Sequence, residues 1–400
     1  MEMVRANANW IDTYMKWTEN SEPPVLYREW VAVAVIAACL QRKCFMEWEC
    51  SIYPNFYIVL IGASGRCRKG VAMGQGLKLL SAVGINVMAE STTREALIRR
   101  MKESEQQTID DDGNVYLHHS VSIFSKELAV FLGYDKKELM MNITDWYDCH
   151  DTWRYETKNS GKDEITGMWV NLIGAMTPEL VASSIPRDAV GAGLTSRIIF
   201  VYAEDKAKIV PLPFQTPAEK VIEEELVNDL SQVKLLSGKF KFSKAFIDKY
   251  VDWYVQEEAK EPFANNEFMT KYFERRATHL RKVCMVMSAA RTNSMIIDVV
   301  DFDRALKLLH RTEVDMARTF SGIGKNEYAD VATKVLKYII SQPEGVLFSN
   351  VLQNFFYDVD KEELSRTIAS LVAMDVCELV TEGTNITVRY TGTKGDLNVG

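Results

Sequence analysis

Lys69 is the residue best placed by its neighbours to do chemistry. It lies in Phe56–Gly70, FYIVLIGASGRCRKG, where an apolar run passes into a glycine-containing loop that ends in Lys69, and Val71–Leu80 after it reads as a helix. Strand, loop and helix in that order build a cradle for phosphate. Backbone N–H groups of the loop point inward, the helix N-terminus adds a positive dipole end, and the lysine reaches the terminal phosphates. Gly62, Ser64, Gly65, Arg66, Arg68, Lys69, Gly70 and Val71 are the candidate cradle residues. The pattern departs from G-x-x-x-x-G-K-[ST]. Gly62 lies seven residues before Lys69 instead of six, Arg68 replaces the last glycine, and Gly70 stands where a hydroxyl would bind magnesium.

Other candidates lie further on. The apolar strand Val121–Phe124 runs into Ser125-Lys126-Glu127, so Glu127 ends a buried strand as a carboxylate suited to polarising water. Trp169–Ala175 reads as a buried strand with one polar residue, Asn171, which needs a partner and is placed to orient water or a γ-phosphate. Arg197 precedes the strand Ile198–Tyr202, where its planar fork would meet a neighbouring subunit's phosphate. The cluster Asp145–Asp151, DWYDCHD, matches no metal-ligand spacing and reads as a loop beside the nucleotide pocket. Lys158 and Lys162 flank the tip of a hairpin, which reads either as a local phosphate contact or as a solvated edge hairpin.

Composition narrows the class. A net charge of −8 over 400 residues argues against a surface that coats nucleic acid, so such contacts must be local. The seven cysteines form no C-x-x-C pair, which argues for reduced thiols. No apolar run approaches the length of a membrane span and no signal pattern opens the chain, so a cytoplasmic protein with no membrane partner is expected.

Periodicity then divides the chain into elements that would position these residues. Residues 1–50 form a helical segment packing on the core, and 51–210 an α/β core whose parallel sheet lies between helices. Residues 211–325 carry long 3.6-period patterns that predict an all-helical lid, with Arg276 on the helix Glu267–Arg291. Residues 326–400 read as three helices and a two-stranded wing, a winged helix; Asp360, Glu362 and Glu363 on the third helix weaken a groove-reading role, leaving protein docking or weak phosphate contacts through Arg389 and Lys394.

With these parts in line, the chain resembles an AAA+ P-loop ATPase of the kind that bacteriophages and mobile elements encode for DNA replication. The stretches YPNFYIVLIGASGRCRKG, ESTTREALI, FSKELAVFLG, DWYDCHD, NLIGAMTPEL and GLTSRIIFVY carry the resemblance over roughly residues 25–202. The order of parts is also similar to that of the minichromosome maintenance helicases. The resemblance implies ATP and Mg2+ as cofactors and a ring, as a rule hexameric, around single-stranded DNA. Primase or polymerase would be its replication partners. By the same resemblance Glu127 polarises water and contacts magnesium, Ser125 stands where an aspartate would hold the metal, and Asn171 is a sensor. Lys158 and Lys162 tip a pore hairpin, Arg197 is an arginine finger acting in trans, and Arg276 is a lid sensor. The implied function is an ATP-dependent translocase or helicase. A nucleotide-gated initiator or helicase loader that assembles without unwinding is the alternative.

Overall fold

The computed structural model describes residues 5–88, 94–109, 113–132, 137–157, 161–184, 193–259, 267–320, 327–356, 359–382 and 385–392. The chain divides into two compact units, Met1–Phe320 and Ser321–Gly400.

Fifteen strands are described: β1 (Cys44–Glu47), β2 (Ser51–Ile52), β3 (Tyr57–Ile61), β4 (Val87–Met88), β5 (Glu105–Ile109), β6 (Val115–Ser125), β7 (Thr152–Thr157), β8 (Gly161–Thr166), β9 (Met168–Met176), β10 (Ile198–Tyr202), β11 (Gly238–Phe242), β12 (Ile296–Ile297), β13 (Val346–Leu347), β14 (Cys377–Glu382) and β15 (Asn385–Tyr390). The central sheet runs β10-β3-β9-β6-β4, all neighbours parallel, and β5 adds antiparallel to β6. Every residue of β3 and β9 is buried, as expected for parallel strands covered on both faces. β9, the strand that carries Asn171, lies between β3 and β6.

This order fixes where a ligand fits. From β3 the chain leaves towards β4 on one side, and from β9 it crosses to β10 on the other. The carboxyl ends of β3 and β9 therefore flank a topological switch point, where open α/β sheets bind ligands.

The helix Val25–Leu40 is apolar nearly all round and buried along 13 of its 16 residues, so it is a core element. It packs on the helix Lys69–Ala82, where Gly76 permits the approach: a Cβ there would lie 2.6 Å from Val31 Cγ1 and 2.9 Å from Val35 Cγ2. The segment 1–50 is thus integral to the unit. The region 211–325 is not all helical. Its β11 and β12 complete a small sheet with β1 and β2, because alternate residues of Gly238–Phe242 are apolar and pair in parallel with Cys44–Met46. No helix among the described residues is long and apolar enough to cross a membrane.

The second unit holds the helices Glu327–Ile340, Phe348–Asn354 and Lys361–Ala373 with a three-stranded antiparallel sheet, β13-β15-β14. The short β13 is a third strand beyond the two-stranded wing read from the sequence. Asp360 and Glu363, which weakened a groove-reading role for the third helix, form its capping box.

Candidate functional site

The loop leaves β3 through Gly62, whose N–H extends the ladder to Met176 O. Only glycine fits here: a Cβ would lie 2.7 Å from each of Ala203 O, Cys67 Sγ and Tyr27 Oη. Tyr27 Oη donates to Ile61 O at 2.5 Å and Cys67 Sγ to Ala203 O at 3.3 Å, so the loop's root is stitched to β10's end. Gly65 turns the loop at φ +69° with open space around it. Arg68 takes the left-handed conformation, φ +53°, that the consensus glycine would adopt freely.

Two ion pairs hold the loop's arginines away from its mouth. Arg66 meets Asp205 at 2.6 Å, and Arg68 meets Glu22 at 2.6 Å. Glu22 also accepts from Lys206 at 2.8 Å, and these bonds, that from Lys206 foremost, hold its carboxyl down at about 2.

Lys69 begins the helix Lys69–Ala82, which has no side-chain cap and no acid in its first turn. The positive end of that helix is open to an anion. Lys69 Nζ donates to Gly62 O at 2.5 Å and Ala63 O at 3.2 Å, so its charge lies in the mouth of the loop. Burial lowers its pKa, opposed by Cys67, Glu127 and Glu179. The carboxylates of Glu127 and Glu179 thus share Lys69's field. Glu127 lies in the exposed turn after β6, and Glu179 opens the helix Pro178–Ser184 after β9. Beside them Ser125 is fully buried at the end of β6, its hydroxyl without a hydrogen-bond partner among the described residues. Ser64, Gly70 and Val71 are exposed around the loop and first helical turn.

Glu179 is not among the site candidates read from the sequence; it follows Thr177-Pro178 at a helix start, where Thr177 Oγ1 accepts Leu180 N–H at 3.4 Å. What no local pattern revealed is that β9's end adjoins β3's.

Other expected site residues lie elsewhere. Asn171 is fully buried near the amino end of the sheet, opposite Ser122, with Oδ1 accepting Phe56 N–H at 3.0 Å and Nδ2 donating to Ala34 O at 3.2 Å. Five residues of strand separate it from Met176, about 16 Å. The partner it needed is backbone, and the sensor expectation is corrected. Arg276 is also committed: its guanidinium bonds Glu313 at 2.6 and 2.8 Å and Glu257 at 2.6 Å, pinning three helices together.

Arg197, at β10's amino end, is likewise remote from Lys69 of its own chain, because Tyr202 and not Ile198 pairs with Ile61. Nη2 meets Asp148 at 2.5 Å and Nη1 donates to Gly193 O at 3.0 Å. Arg275 approaches the same carboxylate at 3.4 Å. The DWYDCHD loop therefore belongs to this amino end, where Tyr147 and a neutral His279 pack; burial pushes His279 down to about 3. Among the described residues no group of three or more His, Cys, Asp and Glu is arranged to hold a metal ion. Cys50 is exposed and the six other cysteines, all free thiols, are buried or in part sequestered in the core.

The hairpin of β7 and β8 is present, with Lys162 opposite Glu156 and Trp153 stacked on Tyr155 at 5.7 Å. Lys158 and Lys394 lie outside the described residues. Arg389, on β15, is half-exposed and 3.9 Å from Glu378, a solvent-screened pair. Against known proteins, no family model matches the chain and no curated protein matches it.

Proposed function

We propose that this chain is an AAA+ type ATPase that moves single-stranded DNA through an oligomeric ring, with nucleotide held between subunits. One observation carries the reading: Lys69 and an uncapped helix N-terminus stand at the switch point of a parallel sheet, with the carboxylates of Glu127 and Glu179 within electrostatic reach of the lysine. That combination suits a polyphosphate, whose negative charge would take the place now filled by the Gly62 and Ala63 carbonyls at Lys69.

The donor set also fits a hard cation in part. Magnesium is held by one or two carboxylates together with phosphate oxygens and water. Glu127, with the unpartnered hydroxyl of Ser125 beside it, would supply the protein's share. ATP with its magnesium would supply the phosphoanhydride to be cleaved. The chain's own residues would neutralise phosphate charge (Lys69) and orient and deprotonate water (Glu127). From a neighbouring subunit, Arg197 would stabilise the charge that develops. Arg197's distance from its own loop supports action in trans. Three helices with a small antiparallel sheet support a winged-helix reading of the second unit.

ATP hydrolysis with and without single-stranded DNA tests the proposal on wild type, Lys69→Ala, Glu127→Gln and Arg197→Ala. A motor gives DNA-stimulated turnover that all three changes abolish, with partial rescue when Arg197→Ala and Lys69→Ala subunits are mixed. Absence of turnover, with ATP-dependent assembly lost only in Lys69→Ala, favours a nucleotide-gated initiator or loader. The missing hydroxyl at Gly70 and the serine at 125 are the observations on that side.

A further inference from the structure

A second cleft, of about 380 Å³, opens at the amino end of the sheet. Asn55 lies on its wall, and the five strand residues of β3 separate it from the phosphate loop by about 16 Å. One wall is the turn between β1 and β2, with Trp48 at its head. The other is a single face of the helix Glu267–Arg291, from which Arg275, Arg281 and Lys282 point inward.

The charge in this cleft is only partly balanced. Arg281 donates to Ala277 O at 3.1 Å and Thr278 Oγ1 at 3.2 Å; Lys282, buried, donates to Asn55 O at 3.2 Å and Asn55 Oδ1 at 2.7 Å. Neither has a carboxylate partner among the described residues. Of the acids lining the cleft, Asp148 is already shared by Arg197 and Arg275, which leaves Glu49. A cation-rich hollow on a chain of net charge −8 is a specific feature and not a general surface property.

An aromatic surface accompanies the cations. The Arg281 guanidinium lies 4.9 Å over the Trp48 ring, and Trp48 is braced edge-on by Phe242 at 5.5 Å and Tyr250 at 4.9 Å. Its orientation is therefore set in advance. Arginine beside a fixed indole accepts an anion and a planar ring at once, the chemistry of a phosphate with its base.

We propose that this cleft binds a nucleotide unit, its phosphate against Arg275 and Arg281 and its base on the Trp48–Arg281 platform. The unit comes either from single-stranded DNA or from free mononucleotide. The site is independent of the phosphate loop, so its test uses full-length protein carrying Lys69→Ala throughout.

Fluorescein-labelled oligothymidylate and a fluorescent ATP analogue are titrated into this parent and into versions that add Arg281→Ala, Trp48→Leu or both. Melting curves confirm that each is folded; the half-exposed Arg281 gives the variant least disturbing to packing. The expected result is tenfold or greater weakening for at least one probe, about the worth of one base–aromatic stack, with a shallower salt dependence in Arg281→Ala. The probe that responds identifies the source. A parent that binds neither probe, or a double variant that binds both as tightly as the parent, overturns the proposal. Wild type against Lys69→Ala with the ATP analogue reports on the loop separately.

Discussion

Replacing Asn171 by alanine separates a structural from a catalytic role. The side chain is fully buried, and its Oδ1 accepts the Phe56 N–H at 3.0 Å on the approach to β3. Truncation orphans that donor at a cost of about 1–3 kcal/mol. The bond from Nδ2 to Ala34 O, 3.2 Å, is also lost. Ala34 lies within a helix, so its carbonyl has a second bonding direction, and this loss adds only about 1 kcal/mol. The sum is about 2–4 kcal/mol. At roughly 2 °C per kcal/mol for a large unit, melting falls by about 4–8 °C. Differential scanning calorimetry reads the shift, and titration with an ATP analogue below the melting range reads the site. Affinity per folded molecule is expected to stay as in wild type, because about 16 Å of strand separates Asn171 from the loop. A variant that melts with wild type but turns over ATP much more slowly would refute this reasoning and restore the sensor role.

Four further outcomes are expected. Gly62→Ala drives a Cβ to 2.7 Å from Ala203 O, a backbone atom, and is expected to cost about 1–3 kcal/mol and abolish nucleotide binding. Its control, Gly74→Ala, lies in the helix that follows the loop with open space around its Cβ, and should be neutral or stabilising by about 0.5–1 kcal/mol. Gly70→Ser meets nothing nearer than Lys126 Cδ at 3.8 Å, so a hydroxyl fits, and magnesium-dependent ATP affinity is expected to rise when titrated against metal concentration. Burial pulls Lys282 from 10.5 down to about 8. Between about pH 8 and 10.5 the unfolded chain binds the proton that the folded one has shed, so folding stability rises with pH through that window. Denaturant curves of wild type and Lys282→Met at the two ends should show the rise in wild type only.

Much of the positioning was legible in the residues. The strand–loop–helix at Lys69, the hairpin of β7 and β8, β10 and the helix Glu267–Arg291 follow from apolar period, glycine placement and capping chemistry, all local properties. The chain divides between Phe320 and Ser321, whereas the sequence places a boundary between 325 and 326. Local signals failed for β11 and β12. Short strands embedded among helices are stabilised by a partner far along the chain, here Cys44–Met46, and carry no period long enough to detect.

Tertiary structure alone decided which polar residues share a site. Sequence order suggested that Lys69, Glu127, Asn171, Arg197 and Arg276 act together, yet the end of the sheet at which each residue emerges determines whether it does. Glu127 and Glu179 follow strand ends and reach Lys69's field, whereas Asn171 lies in the amino half of β9 and Arg197 immediately precedes β10. Arg276 looked as available as Arg275, but one residue's rotation about the helix, ~100°, turns it onto Glu257 and Glu313 while Arg275 faces Asp148. Residue type and spacing thus determined the chemistry available to this chain, and strand order and helix rotation determined which groups meet. Only the latter depend on contacts between residues distant in sequence.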